Sequence, residues 1–197
     1  IPKFDIHKKY PQFDFIILTV ARLEPEKNIS LSLRVMKKVI EKYPRVGFVV
    51  VGNGSETKNL KLKTKNLKLE SSVIFEGWQE DAISYYRGAD IYLSTSNYEG
   101  YSLALVEAAL SGCPIVTTDV GVVSYVLKNE SGALISHIGD KESIVEQIKR
   151  FLGDIEFGKK LGRTARAEVL ANVYKDKQAY LLEYKKLWQS CIPNSKQ

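Results

Sequence analysis

The sequence predicts an α/β domain with a Rossmann-like, doubly wound sheet of six parallel strands and a helical C-terminal tail. Short continuous apolar runs, typical of strands buried on both faces, alternate along the chain with segments of helical periodicity. Six strands separated by helices imply an open parallel sheet with helices on both faces. The 197 residues, 44% of them hydrophobic and 26% charged, suffice for one compact soluble domain and an appendage.

The predicted strands are six short apolar runs. They comprise residues 15–20, 46–52, 72–75, 91–94, 114–118 and 133–135. Open parallel sheets bind ligands where their strands end and the chain turns towards the next helix. Functional residues are therefore expected in the segments that follow strands. These segments are residues 21–28, 52–57, 76–81, 95–102 and 117–122.

Helices are predicted between these strands. Apolar side chains recur at steps of three and four over residues 29–43, with Asn28 as a plausible N-cap and Pro44 as the stop. A lysine-faced helix is expected over residues 58–69 and a short helix over residues 80–90.

The C-terminal third is predicted to be mostly helical. Residues 140–154 form a capped helix, with Asp140 in front and Gly153 behind. The tail over residues 157–189 is expected to be helical, with a break near residues 172–174.

Composition excludes several classes of protein. The apolar run over residues 15–21 is too short to span a bilayer, and Cys113 and Cys191 form no disulfide framework, which favours a cytoplasmic setting. His7 and His137 lie far apart without other ligands at metal-binding spacing. A histidine-based metal site is therefore not expected, although composition leaves an oxygen-only site open.

Lysines are concentrated in one segment of this chain, whose net charge is +6. They are Lys58, Lys61, Lys63, Lys65 and Lys68. A solvated helix face explains them, and attraction to a polyanion or to an anionic membrane is the alternative. No aromatic residues are interleaved with the lysines, so nucleic-acid binding is not predicted.

Two cations follow the first strand in the segment VARLEPEKN. Arg22 and Lys27 share one loop beside a helix N-terminus, where a guanidinium, an ammonium and the helix dipole together could hold a diphosphate. The alternative is a pair of solvated cations that bind Glu24 or Glu26. This motif alone does not decide between them.

The segment GNGSET, after the second strand, resembles part of a dinucleotide-binding fingerprint. Gly52 and Gly54 are present, but Thr57 stands where the third glycine is expected. Glu76, after the next strand, could bind a ribose in that scheme. An NAD-type oxidoreductase is thus a weak alternative, and a tight turn explains the glycines equally well.

Two glutamates frame the helix predicted from LALVEAAL. This helix is apolar all round and is expected to be largely buried, so Glu107 needs partners such as the vicinal hydroxyls of a ribose. Glu99 lies before the helix, nearer the mouth of a cleft. Gly100 allows a ligand to approach the backbone, and the free N–H groups of residues 101–103 suit an anion. Alternatively, Glu107 only binds backbone amides in the core.

Together these segments resemble the retaining glycosyltransferases of family 4, which have the GT-B fold. The resemblance rests on the E-x7-E pair in SNYEGYSLALVEAALSGCPIV, the R-x4-K motif in VARLEPEKN, and the segments VVGNGSE, VIFEGW and YYRGADIYLSTS. It implies that the chain is the C-terminal, donor-binding half of such an enzyme. The chain opens with IPKFD, without an initiator Met, which suggests a piece of a longer protein.

The resemblance also implies a division of the chain. Residues 1–14 are expected to end an interdomain linker, residues 15–172 to bind a nucleotide sugar, and residues 173–197 to form a crossover helix and tail. The saccharide or lipid-linked acceptor would bind mainly to the missing N-terminal domain. No metal or other cofactor is expected, and the location is cytoplasmic, with contact to the inner membrane face as an option.

Residue roles follow from the same resemblance. Arg22 and Lys27 would hold the donor diphosphate, Glu99 would contact the donor sugar near its reacting carbon, and Glu107 would bind the ribose. The backbone of residues 101–103 would bind sugar hydroxyls and phosphate, and residues 75–78 would meet the base, mostly through their backbone. The donor-binding residues other than Glu107 form a larger set. They are Gly52, Asn53, Phe75, Glu76, Gly77, Trp78, Gly100, Tyr101, Ser102 and Leu103.

The chain departs from the family pattern at three positions. Ala21 and Ser102 stand where glycine is usual, and Ser102 could crowd the sugar or donate a hydrogen bond to it. Tyr125 replaces a glutamate that usually follows the fifth strand. A nucleotide-sugar binding module without catalysis is the main alternative to a transferase.

Overall fold

The structure, a computed structural model, describes residues 4–172, 178, 181–182 and 184–186. Its strands are β1 (Phe15–Val20), β2 (Val46–Val51), β3 (Val73–Gly77), β4 (Ile91–Ser94), β5 (Ile115–Thr118) and β6 (Leu134–Ser136). They form one parallel sheet in the order β3-β2-β1-β4-β5-β6. The predicted six-stranded parallel sheet is confirmed.

The helices fill the connections between strands. They are α1 (Ile6–Lys9), α2 (Ile29–Lys42), α3 (Thr57–Asn66), α4 (Ala82–Gly88), α5 (Leu103–Leu110), α6 (Val123–Val126), α7 (Lys141–Gly153) and α8 (Ile155–Asn172). The sequence prediction missed α1, α6 and a 3-10 turn, Pro25–Lys27. Each has three or four residues, too few to establish a helical period.

Two apolar layers cover the sheet, because successive strand residues point to opposite faces. In β1, Ile17 packs with α2, α3 and α7, whereas Ile16 and Leu18 pack with α1, α4, α5 and α6. Burial in both layers, with Ile16 and Ile17 both fully buried, explains why the strands read as continuous apolar runs.

The order of the strands creates a crevice between β1 and β4. These two strands are neighbours in the sheet, but α2, which follows β1, and α5, which follows β4, lie on opposite faces. The loops that leave the two strands therefore diverge at the carboxyl edge. This is the topological switch point at which doubly wound sheets bind ligands.

One predicted N-cap residue occupies its position without capping the helix through its side chain, and one predicted C-terminal cap was wrong. Asn28 occupies the N-cap position of α2 in a left-handed conformation (φ 47°), and its side chain does not cap the helix. Its amide instead donates to the side-chain oxygen of Asn97, 3.0 Å away. Gly153 is the last residue of α7 and not the residue behind it. Asp140 does cap α7, because its carboxylate accepts from the Ser143 N–H at 2.9 Å.

The expectation that α5 is largely buried holds for only part of the helix. Leu105, Val106, Ala108 and Ala109 are buried, but Leu103 is 68% exposed, Leu110 is 39% exposed and Glu107 is exposed. The helix packs against β4, β5, α4 and α8 on one side only. Composition could not show that its second apolar side is open to solvent.

The predicted linker and the predicted C-terminal tail lie at the two ends of the chain. Ile6 in α1 is fully buried in the layer with α4 and α5, so part of the predicted linker packs on the domain. The division of the chain at residues 14 and 172 stays a prediction. The predicted break and most of the predicted crossover helix, residues 173–197, lie outside the described residues.

Candidate functional site

A cavity of about 440 Å³ lies at the carboxyl ends of β1 and β4, at the switch point of the sheet. Its walls are the loop after β1 and the segment that leads into α5. Seven of the residues proposed from the sequence line this one cavity. They are Arg22, Lys27, Glu99, Gly100, Tyr101, Ser102 and Leu103.

Lys27 and Glu99 form the central contact of the cavity wall. The Lys27 ammonium donates to the Glu99 carboxylate at 2.7 Å, and the Ser96 hydroxyl donates to the other oxygen of Glu99, also at 2.7 Å. Only 15% of the Lys27 side chain and 10% of the Glu99 side chain are exposed. The largely buried carboxylate is thus neutralised and fixed in position by two partners.

Hydrogen bonds tie the two cavity walls together. The Thr95 hydroxyl donates to the Asn28 carbonyl at 2.9 Å and lies 2.7 Å from the Ser32 hydroxyl. The Asn97 N–H donates to the Glu26 carbonyl at 2.8 Å. The position of Lys27 relative to Glu99 is therefore set by the fold.

Arg22 lies at the mouth of the cavity and is less constrained. Its side chain is 76% exposed, and its guanidinium lies 3.4 Å from the Glu26 carboxylate. Arg22 thus matches the alternative interpretation, a solvated cation that binds Glu26. Lys27 does not, because it binds Glu99. Glu24, the other suggested partner, accepts hydrogen bonds from the Ser55 hydroxyl and N–H.

A second group of predicted residues meets at the carboxyl ends of β2 and β3. The Gly52 N–H donates to the Gly77 carbonyl at 2.7 Å. With its amide oriented to satisfy both neighbours, Asn53 donates to the Gly52 carbonyl at 3.0 Å and accepts from the Trp78 N–H at 3.3 Å. The Trp78 side chain is 70% exposed. These residues form a ledge beside the cavity but do not line it.

Gly52 and Gly54 serve close backbone packing. A Cβ on Gly52, whose φ is +125°, would lie 1.9 Å from the Ala21 carbonyl oxygen. A Cβ on Gly54 would lie 2.4 Å from that of Leu23. The glycines therefore let the loop after β2 pack on the loop that carries Arg22 and Lys27.

Phe75 and Glu76 direct their side chains away from the cavity. Phe75 packs in the layer beneath α3, with the Lys61 ammonium 6.0 Å from its ring centre. The Glu76 carboxylate accepts from the Lys9 ammonium at 2.5 Å and from the Tyr85 hydroxyl at 2.7 Å. Glu76 is thus already engaged, which removes the main support for the NAD-type alternative.

Glu107 projects from α5 towards α4. The Tyr86 hydroxyl donates to its carboxylate at 3.1 Å. Burial, together with the nearby Tyr92 and Glu107, raises the pKa of Tyr86, so its hydroxyl remains a hydrogen-bond donor. Glu107 is exposed and is not buried as expected, and it does not line the cavity. Its carboxylate is accessible to a ligand that extends from the cavity along α5.

The sequence interpretation missed several residues around the site. Tyr86, Tyr92 and Thr19 were not singled out, although Tyr92 and Thr19 line the cavity. Tyr92 and Ser94 alternate in β4, and the face shared by such residues is a signal that could have identified Tyr92. Gly121 packs against Glu99, since a Cβ there would lie 2.8 Å from the Glu99 Cβ.

Within the described ranges, no three or more His, Cys, Asp or Glu side chains are grouped so that they could hold a metal ion. None of the helices in that part of the chain is long and apolar enough to cross a bilayer.

Comparison with known proteins places the chain in a family. The family described as Glycosyl transferases group 1 matches residues 3–168. The chain belongs to this family. One similar protein is the UDP-Gal:alpha-D-GlcNAc-diphosphoundecaprenol alpha-1,3-galactosyltransferase of Escherichia coli, which is 27% identical over 71% of this chain. The match covers 37% of that relative, so this chain spans well under half the length of such a protein.

Solved structures match the fold. Staphylococcus aureus TarM, in complex with Fondaparinux, alpha-GlcNAc-glycerol and UDP, has a TM-score of 0.81 and 22% identity over 88% of this chain and 35% of its own. The C-terminal domain of a group 1 glycosyl transferase from Francisella tularensis has a TM-score of 0.78 and 20% identity over 89% of this chain and 96% of its own. The fold is therefore that of a GT-B glycosyltransferase C-terminal domain.

Proposed function

We propose that this chain is the donor-binding half of a retaining, family 4 glycosyltransferase. The full protein would transfer a sugar from a nucleoside-diphosphate sugar to a saccharide or lipid-linked acceptor, which its other half would bind. The observation that carries the proposal is the convergence of Arg22, Lys27 and Glu99 on one cavity at the switch point of the sheet. We also propose that the protein is cytoplasmic and contacts the anionic inner face of the membrane.

The cavity provides what sugar transfer from a diphosphate requires. The bond between the sugar carbon and the diphosphate oxygen breaks, and negative charge accumulates on the departing nucleotide. Arg22 and Lys27 would stabilise that charge without a metal ion. Glu99, fixed by Lys27 and Ser96, would orient the sugar at the reacting carbon. An acceptor hydroxyl would attack the same face of that carbon, form the new glycosidic bond and pass its proton to the departing diphosphate oxygen, so retention needs no protein nucleophile.

Glu107 would bind the ribose, and the ledge formed by Gly52, Asn53, Gly77 and Trp78 would meet the base. Tyr86 would orient the Glu107 carboxylate for the ribose hydroxyls. We propose UDP as the nucleotide, because the named E. coli relative uses UDP-Gal and the TarM complex contains UDP.

Nucleotide binding tests this function directly. A thermal-shift screen of UDP, GDP and ADP should show the largest stabilisation with the preferred nucleotide, since stability rises with the logarithm of ligand concentration over Kd. Chelation of metal ions with EDTA should leave that stabilisation unchanged. No shift with any of the three nucleotides would refute the proposal.

Two variants locate the binding site. Arg22→Ala and Glu107→Ala should each weaken nucleotide-diphosphate binding by about 1–3 kcal/mol in calorimetry, because each removes charge-assisted hydrogen bonds. Arg166→Ala, at an exposed position on α8, is the matched control and should bind as the unmodified chain does. Unchanged affinity in both site variants would refute the site assignment.

Turnover separates a transferase from a non-catalytic binding module. The full-length protein should transfer radiolabelled sugar from the preferred donor. Saturable binding without any transfer would favour the binding module.

A further inference from the structure

Tyr92 lines the cavity, and its hydroxyl has no hydrogen-bond partner among the described residues. The residue lies in β4, lines the cavity and is only 2% exposed. Across the described residues, none forms a hydrogen bond with this hydroxyl. Its neighbour Tyr86, whose ring centre is 5.7 Å away, binds Glu107 instead. A hydroxyl that has no protein partner and belongs to the wall of a ligand cavity is free to form a hydrogen bond with a bound molecule.

The surroundings of Tyr92 indicate which chemical group would satisfy it. Burial is the main factor that raises the pKa of Tyr92, followed by the charges of Glu99 and then of Glu107. The hydroxyl therefore keeps its proton and can donate to an oxygen that the protein does not supply. Arg22 and Lys27 line the same cavity, which makes an anionic oxygen the most favourable acceptor.

The position of Tyr92 within the cavity indicates which part of the proposed donor carries that anionic oxygen. Glu99 lines the cavity with Tyr92, whereas Glu107 lies outside it. In the proposed complex, Glu99 contacts the sugar of the donor and Glu107 contacts its ribose. The group that lies between them, on the side of Glu99, is the β-phosphate.

We propose that the Tyr92 hydroxyl donates a hydrogen bond to the β-phosphate of the bound nucleoside diphosphate. This inference rests on the proposed function and adds a third donor, from the floor of the cavity, to Arg22 and Lys27. Tyr92 is thus assigned as a donor-binding residue that discriminates a diphosphate from a monophosphate.

Tyr92→Phe tests the assignment, because it removes only the oxygen and keeps the ring packed on Tyr86. Tyr10→Phe is the control, since the Tyr10 hydroxyl also lacks a hydrogen-bond partner but is buried and lies outside the cavity. Titrations with UDP and with UMP are compared by calorimetry for the unmodified chain and both variants. Thermal unfolding without nucleotide should show no loss of stability in either variant, because both lose an unsatisfied polar group.

Tyr92→Phe should weaken UDP binding about tenfold, the effect of one hydrogen bond to a charged group, and should weaken UMP binding far less. Tyr10→Phe should change neither affinity. UDP binding by Tyr92→Phe that equals that of the control, or an equal loss for UDP and UMP, would overturn the β-phosphate contact while leaving the proposed function intact. Failure of the unmodified chain to bind any nucleoside diphosphate would overturn both.

Discussion

Lys27 and Glu99 are 72 residues apart in the chain and meet at 2.7 Å in the cavity wall. With 15% and 10% of their side chains exposed, each is the main compensation for the charge of the other. Ser96 holds the second carboxylate oxygen of Glu99. In the proposed function, a bound diphosphate would share the Lys27 ammonium with Glu99, so that donor binding would be coupled to the position of the carboxylate proposed to bind the sugar.

Lys27→Ala should lower the free energy of unfolding by about 1–3 kcal/mol, because it leaves the Glu99 carboxylate largely buried without its cation. Urea denaturation of the chain without nucleotide measures this loss. Replacement of Glu99 by Gln in the same background should recover part of it, since the uncompensated charge is then gone. An equal loss in the single and double variants would show that the pair does not stabilise the fold.

At the scale of elements, the start of α5 is the most unusual backbone near the site. Ser102 occupies the N-cap position in a left-handed conformation (φ 63°), and its side chain makes no capping hydrogen bond. Such a conformation is costly for any residue except glycine. The strain lies where α5 meets the cavity, which Ser102 itself lines. A serine stands at this point although glycine would fit the backbone better.

Ser102→Gly should therefore raise the free energy of unfolding, by about 0.5–1 kcal/mol after the greater flexibility of glycine in the unfolded chain is subtracted. The control is Ser111→Gly at the other end of α5, where φ is −75° and glycine should only destabilise. Urea denaturation of both variants measures the difference. A loss of stability in Ser102→Gly as large as in Ser111→Gly would contradict the assignment of strain.

At the scale of the whole molecule, two apolar layers on opposite faces hold the strands in register and position both cavity walls. Cys113, just before β5, is 2% exposed and belongs to the layer that includes α5 and α8. Burial is the main factor that raises the pKa of its thiol, and the charge of Asp90 adds to it. The thiolate that reacts with alkylating reagents is therefore scarce as well as inaccessible.

Cys113 should resist alkylation by iodoacetamide in the native chain and should react in concentrated urea. Mass spectrometry of the peptide that contains Cys113 measures the fraction modified. Fast modification without denaturant would show that the layer between α5 and the sheet opens locally.

The parts of this fold that follow from the sequence are those with local causes. FIILTV predicted β1 at the residues observed, since a strand buried on both faces must be apolar throughout. Arg22 and Lys27 of the R-x4-K segment and Glu99 of the E-x7-E segment were predicted to meet and do line one cavity, because strand ends converge at one edge of a parallel sheet. Glu107, by contrast, does not line it.

The remaining features depend on contacts between distant parts of the chain. Asn28 is a good N-cap by residue type, but its amide binds Asn97, 69 residues away. Glu76 is engaged by Lys9, 67 residues away, in a helix too short to be predicted. The exposure of Glu107 depends on which sides of α5 other elements cover, and its own segment carries no signal of that coverage.

A crystal structure of the chain with UDP bound tests the central claim most directly. The account predicts the diphosphate between the Arg22 and Lys27 side chains in the cavity after β1 and β4, with the ribose hydroxyls within hydrogen-bonding distance of the Glu107 carboxylate. UDP bound elsewhere on the domain, or bound in the cavity with its ribose directed away from Glu107, would contradict it.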